Sequence, residues 1–228
     1  MNNIIRSQLF IMKKKSTLMI LVWILSLICG FFAFSLTQPE ERIETLPMIA
    51  LIIAMLFATI LASVLMTGYS ERIQLYEIMA GMKPNQIIFG RTAAFIPAAM
   101  AFYAAFFVLC LCFDSSAGML QRLLLFGVIF IRLVLCVVFL SPLTKESALA
   151  PTMTIMLLLP YMSNDLKTVA HSPISFLSWG QCIALGTEIT ADFSMKIIVS
   201  AVVACVIYYL IGYYTLKKKI DLEPHKLA

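Results

Sequence analysis

Six runs of this chain are apolar for long enough to cross a lipid bilayer, and that repetition limits what it can fold into. They cover residues 16–36, 46–68, 92–113, 119–140, 147–162 and 195–216. A spanning helix needs about 20 predominantly apolar residues, and inside a bilayer every backbone N–H and C=O must be satisfied within the segment. The fifth run is interrupted by Pro151 and Pro160; membrane helices tolerate proline where neighbours re-satisfy the freed carbonyls. The spans use up most of the 228 residues, leaving no room for a soluble domain. With 61% hydrophobic residues and a mean hydropathy of +0.96, the expected fold is an all-α polytopic membrane protein of six transmembrane helices, one permease-sized domain over residues 1–228.

Lysine and arginine set the expected orientation. Arg6, Lys13, Lys14 and Lys15 precede the first run, Arg72, Lys83 and Arg91 lie between the second and third, and Lys145 lies between the fourth and fifth. Lys217, Lys218, Lys219 and Lys226 follow the sixth. The other side carries Arg42, Arg122, Lys167 and Lys196 against Glu40, Glu41, Glu44, Asp114, Asp165, Glu188 and Asp192. Both termini are therefore expected in the cytoplasm, with the chain in a bacterial cytoplasmic membrane. The net charge of +5 is accounted for by this topology and is not a nucleic-acid footprint. The first run has no small-residue cleavage site behind it and is read as a retained span. Five of the six cysteines lie in the runs, there is no CxxC, and no disulfide framework is expected.

Residues 1–15 place Ile4, Ile5, Leu9, Ile11 and Met12 on one side of a helical wheel and Arg6 and Lys13 opposite, the pattern of an amphipathic helix lying on the membrane. Residues 163–194 include SPISFLSWGQCIALG, semi-apolar but too short to span. It reads as a re-entrant external segment with Phe176 and Trp179 at the interface, where they are candidates for an external gate.

The loop between the second and third runs, SERIQLYEIMAGMKPNQIIFGR (residues 70–91), is longer than a turn requires. Leu75, Ile78, Met79 and Met82 follow the i, i+3, i+4, i+7 spacing of one helix face, with Glu71, Gln74 and Glu77 on another. An amphipathic helix is expected over residues 71–82, ended by Pro84, which can open the next helix at its first turn. Arg132 is the one ionisable residue deep in a run. Such residues are functional candidates by default. Ser141 is nine residues on, about 13 Å along a helix, so snorkelling towards the inner surface or pairing with Glu146 is the structural alternative.

The segment ERIQLYEIMAGMKPNQIIFGR resembles the cytoplasmic loop between the second and third spans of type-2 (ABC-2) exporter permeases. There a coupling helix with a glutamate is followed by a glycine, a small turn and a basic residue entering the third span. Glu77, Gly81, Ile87 and Arg91 match, while KPN stands where the family usually has a serine–arginine turn. The amphipathic N-terminus, six spans and longer external segment before the last span fit the same family, including its antimicrobial-peptide (lantibiotic) export and self-protection members. The resemblance implies that two such chains pair, as a homodimer or with a related chain. Each would dock on a separate cytosolic ATPase subunit through Glu71, Arg72, Gln74, Glu77, Gly81 and Arg91. No glycine begins a GK[ST] sequence, so this chain has no P-loop and would bind no cofactor of its own; ATP and magnesium would sit on the two partner ATPase copies.

The resemblance also implies that spans two and five line the path, here with Met48, Ile52, Met55, Thr59, Ser63 and Met66, and with Thr152, Thr154 and Met156. An uncharged, methionine-rich path suits an amphipathic or apolar cargo such as a peptide, drug or lipid, with Arg132 a further path candidate. Two other classes remain as alternatives. A membrane-embedded substrate-binding component of a vitamin importer would want small alanine-rich faces in its first span, where only Ala33 is present. A carrier or channel would show internal symmetry or paired intramembrane charges, and neither is visible. An intramembrane hydrolase needs a nucleophile and a base within reach; His171 and His225 lie outside the runs.

Overall fold

A computed structural model describes residues 16–66, 81–140 and 191–222, together with isolated positions 6, 10 and 13. Among these residues the chain is helical throughout, with no strand. It forms α1 (Ser16–Leu36), a 3₁₀ turn (Pro39–Glu41), α2 (Arg42–Met66), α3 (Pro84–Phe113), α4 (Ala117–Leu140) and α5 (Ala191–Leu222). Four helices contain windows long and apolar enough to cross a membrane: Met19–Leu36, Pro84–Phe113, Ala117–Leu140 and Ile197–Asp221. A shorter apolar stretch, Thr45–Ala58, lies within the 25 residues of α2. The expectation of an all-α, multi-pass membrane protein holds at this level. The fifth run, residues 147–162, and the external segment, residues 163–194, lie outside the described residues, apart from 191–194 at the start of α5. The N-terminal helix expected over residues 1–15 lies outside them except at positions 6, 10 and 13.

Local chemistry sets where the helices stop. At the end of α1 the hydroxyls of Ser35 and Thr37 bond back to the carbonyls of Phe31 and Ala33, at 2.8 and 2.9 Å, and occupy acceptors of the last turns. Gln38 is then extended (φ −63°, ψ 144°), as a residue preceding proline must be, and Pro39 opens the tight turn into α2. Between α3 and α4 the sequence DSSAG does the same work. Asp114 Oδ1 accepts the Ser116 amide at 2.9 Å, and Ser116 Oγ accepts the Met119 amide at 3.2 Å, an N-cap for α4.

Helix α4 is central. It packs against α2, α3 and α5, and 67% of its apolar window is buried inside the chain, against 11% for α1, whose main contacts among the described residues are with α2 and α3. Neighbouring residues define the directions. Cys110 lies beside the Leu46 carbonyl (3.8 Å) and Phe102 stacks on Phe57 (3.7 Å between centroids), so α2 and α3 are antiparallel. Tyr103 donates to the Leu123 carbonyl at 2.6 Å, and its ring stacks on Phe130 and lies against Gly127, whose missing side chain leaves the space. Arg132 meets Ser200 and Phe139 meets Gly212, so α4 and α5 run parallel. The shared core is aromatic and aliphatic, built on Phe34, Phe95, Phe102, Phe106 and Phe130.

Candidate functional site

The loop that carries the sequence motif enters the described region at Gly81. This residue has φ +70°, the left-handed conformation that glycine adopts at little cost and that L side chains rarely take. No atom lies within 4 Å of where its Cβ would stand, so the need for glycine here comes from the backbone and not from crowding. Met82 and Lys83 follow in non-helical conformation, and α3 begins at Pro84. The amphipathic pattern had been carried to Met82. The left-handed Gly81 and non-helical Met82 take the last two residues out of the helix expected over 71–82, and Met82 packs against the core; residues 71–80 lie outside the described residues. Glu71, Arg72, Gln74 and Glu77 lie outside the described residues.

The start of α3 is well tied. The Lys83 amide donates to Gln86 Oε1 at 3.1 Å while the Gln86 amide donates to the Lys83 carbonyl at 2.9 Å. This is one half of a capping box. A lysine side chain has no acceptor, so the reciprocal bond of a Ser or Thr cap cannot form. The missing N–H of Pro84 costs nothing at this position. Two turns on, Arg91 is 3% exposed, enclosed by the helices. The charge that the spacing assigned to the loop's far end thus lies within the helix packing.

The left-handed backbone at Gly81 gives a direct test. Gly81→Ala is expected to destabilise the protein by about 1 kcal/mol, because alanine pays the left-handed penalty. Gly118→Ala is the control: Gly118 is the second residue of α4, and its nearest neighbour, Ile43 Cγ2, is an ordinary 3.9 Å from the added carbon. That change should leave the melting temperature level or raise it. Equal melting temperatures for wild type and Gly81→Ala in detergent would contradict a left-handed Gly81.

Arg132 is 4% exposed and faces α5. Its Nη1 lies 3.5 Å from Ser200 Oγ, at the outer limit of a hydrogen bond, and the Tyr208 hydroxyl and the Cys136 thiol lie close to the guanidinium. Cys136 is one turn further along α4, so a polar cluster of neutral groups surrounds a cation between two parallel helices. Of the other path candidates, Met55 is buried in the core, Ile52 is half-buried and Met48 exposed. The side chains of Thr59, Ser63 and Met66, and all of Thr152, Thr154, Met156, Phe176 and Trp179, lie outside the described residues.

Sequence reasoning did not find the end of the bundle where α3 begins. There the Tyr209 hydroxyl donates to Asn85 Oδ1 at 2.9 Å, and the rings of Phe89, Phe139 and Tyr213 gather around Tyr209. The available signal was the run of tyrosines at 208, 209, 213 and 214 just before three lysines, an aromatic and basic belt of the kind found where helices leave a membrane. No protein-family model, no curated protein and no solved structure matches this chain.

Proposed function

We propose that the chain is the membrane permease of an ATP-driven exporter of the type-2 (ABC-2) kind, working with a separate cytosolic ATPase. The observation that carries this reading is the junction at residues 81–86. A left-handed glycine stands four residues after Glu77 and directly before a capped helix start, in the loop whose sequence resembles a coupling loop. Such a junction lets an amphipathic segment lie across the inner surface while α3 departs from it. Force applied to the segment reaches α3 through Met82 and Lys83, and the 30 residues of α3 carry it along α2, α4 and α5.

In this reading Glu71, Arg72, Gln74 and Glu77 face the ATPase, and Arg91 anchors α3 from within. Two chains pair, two ATPase copies bind beneath them, and ATP with magnesium is held and hydrolysed there. The parallel course of α4 and α5 favours the six-span topology, because two parallel spans need a return crossing between them and the fifth run is the apolar stretch that lies between them in sequence. Both termini then lie in the cytoplasm of a bacterial cell. The cargo is amphipathic or apolar, with antimicrobial peptides the class that fits an uncharged, methionine-rich lining.

The test is purification of the tagged chain from its native host in mild detergent, read by mass spectrometry. The expected eluate holds a soluble P-loop ATPase in stoichiometric amount. A chain that purifies alone at every salt concentration would overturn the reading and bring the carrier alternative forward.

A further inference from the structure

We propose that Asn85 and Tyr209 form a clamp that passes the motion of the cytoplasmic loop from α3 to α5; this role rests on the coupling reading above. Asn85 is the second residue of α3, four positions after the left-handed Gly81. Its amide oxygen accepts the Tyr209 hydroxyl at 2.9 Å, across 124 residues of sequence. One turn further along α3, Phe89 meets the same tyrosine ring at 6.1 Å. On another side the ring meets Phe139 of α4 edge-on, at 5.7 Å and 75°. The ring of Tyr209 therefore touches both α3 and α4 while belonging to α5.

What lies beside Tyr209 makes the clamp directional. Three residues along α5, Gly212 is pressed against the backbone carbonyl of Phe139. Backbone lies against backbone here, and α4 and α5 share the most extensive helix–helix packing of the described residues, so in this scheme the two are taken to move together. At the start of α3 the contacts with Tyr209 are the Asn85 hydrogen bond and the Phe89 ring, at the half-exposed end of the bundle, where the bond can be made and broken at modest cost. A push on the loop thus reaches α5 directly through the Tyr209 hydroxyl, alongside the route through α3's packing on α4. Asn85 and Tyr209 are positioning residues in this scheme and touch no cargo.

The experiment uses the chain with its partner ATPase in lipid vesicles, a dye-labelled amphipathic peptide as the transported probe, and ATP hydrolysis measured in parallel. Tyr209→Phe removes one oxygen, and Asn85→Ala removes its acceptor. Each is expected to lower peptide moved per ATP about five-fold, the factor that one net hydrogen bond is worth. The double variant should fall no further than either single one, since both remove the same contact. A ratio unchanged in Tyr209→Phe, or losses that multiply in the double variant, would overturn the clamp while wild-type coupling leaves the permease reading standing. A wild-type complex that moves no peptide with ATP would overturn both. Should Tyr209→Phe fail to accumulate, Phe89→Leu, at an exposed position, weakens the same contact and is expected to lower the same ratio.

Discussion

Gly212→Leu is expected to cost the protein its folded state, with monodisperse material in detergent falling at least about ten-fold. A Cβ at residue 212 would overlap the carbonyl oxygen of Phe139, which is backbone and cannot rotate out of the way. Overpacking a protein interior costs about 1–3 kcal/mol where side chains can adjust. Here the two helices must separate, and the cost spreads along their whole contact. Small residues are what permit close approach between membrane helices, because lipid tails are as apolar as the side chains and only packing and polar contacts favour association. Ser200, Ala204 and Gly212 sit at multiples of four residues on the buried face of α5 and form such a seam against α4. Ile211→Leu is the control, one residue away on the exposed side of the helix, and should behave as wild type. A wild-type gel-filtration profile for Gly212→Leu would mean that α4 and α5 do not approach at this residue.

That seam explains why part of the structure was legible in the sequence and part was not. Length and apolar content locate α1, α3, α4 and α5, because a bilayer demands long apolar helices whatever they pack against. Pro39, Pro84 and the Ser116 cap are local signals, and each stands at the boundary its chemistry requires. Helix faces are a different matter. In water, an apolar stripe marks the side of a helix that faces the core. In a membrane the lipid side is apolar as well, so α1 and α3 carry no sequence mark for their buried sides, and the partners of Phe34 or Phe106 cannot be read from periodicity. Direction is lost for the same reason. The depth of Arg132 follows from counting residues, whereas its place beside Ser200 and Tyr208 depends on which helix lies beside α4. Contacts such as Asn85 with Tyr209 join residues far apart in sequence that share no periodic signal, and only the assembled bundle brings them together.

Arg132→Gln is expected to leave membrane abundance within about two-fold of wild type and to lower transport about ten-fold. Glutamine keeps a donor that can reach Ser200 or Tyr208, so the polar contact between α4 and α5 survives in part. It removes the positive charge, and burying a charge in a membrane span is itself unfavourable. The folded state therefore loses one hydrogen-bonding arm and sheds a desolvation cost of opposite sign, and the two nearly cancel. We propose that the buried charge does work in transport that offsets this cost. In the exporter reading that work is to attract an anionic or carbonyl-rich part of a passing cargo when the helices part. The discriminating quantity is transport divided by abundance, measured for wild type, Arg132→Gln and Arg132→Lys. Lysine keeps the charge but loses the planar fork that lets arginine hold two neighbours at once. Recovery of the ratio in the lysine variant would assign the function to charge. Equal losses of transport and abundance in the glutamine variant would make the arginine a structural pin between α4 and α5, with Ser200 and Tyr208 as its sockets.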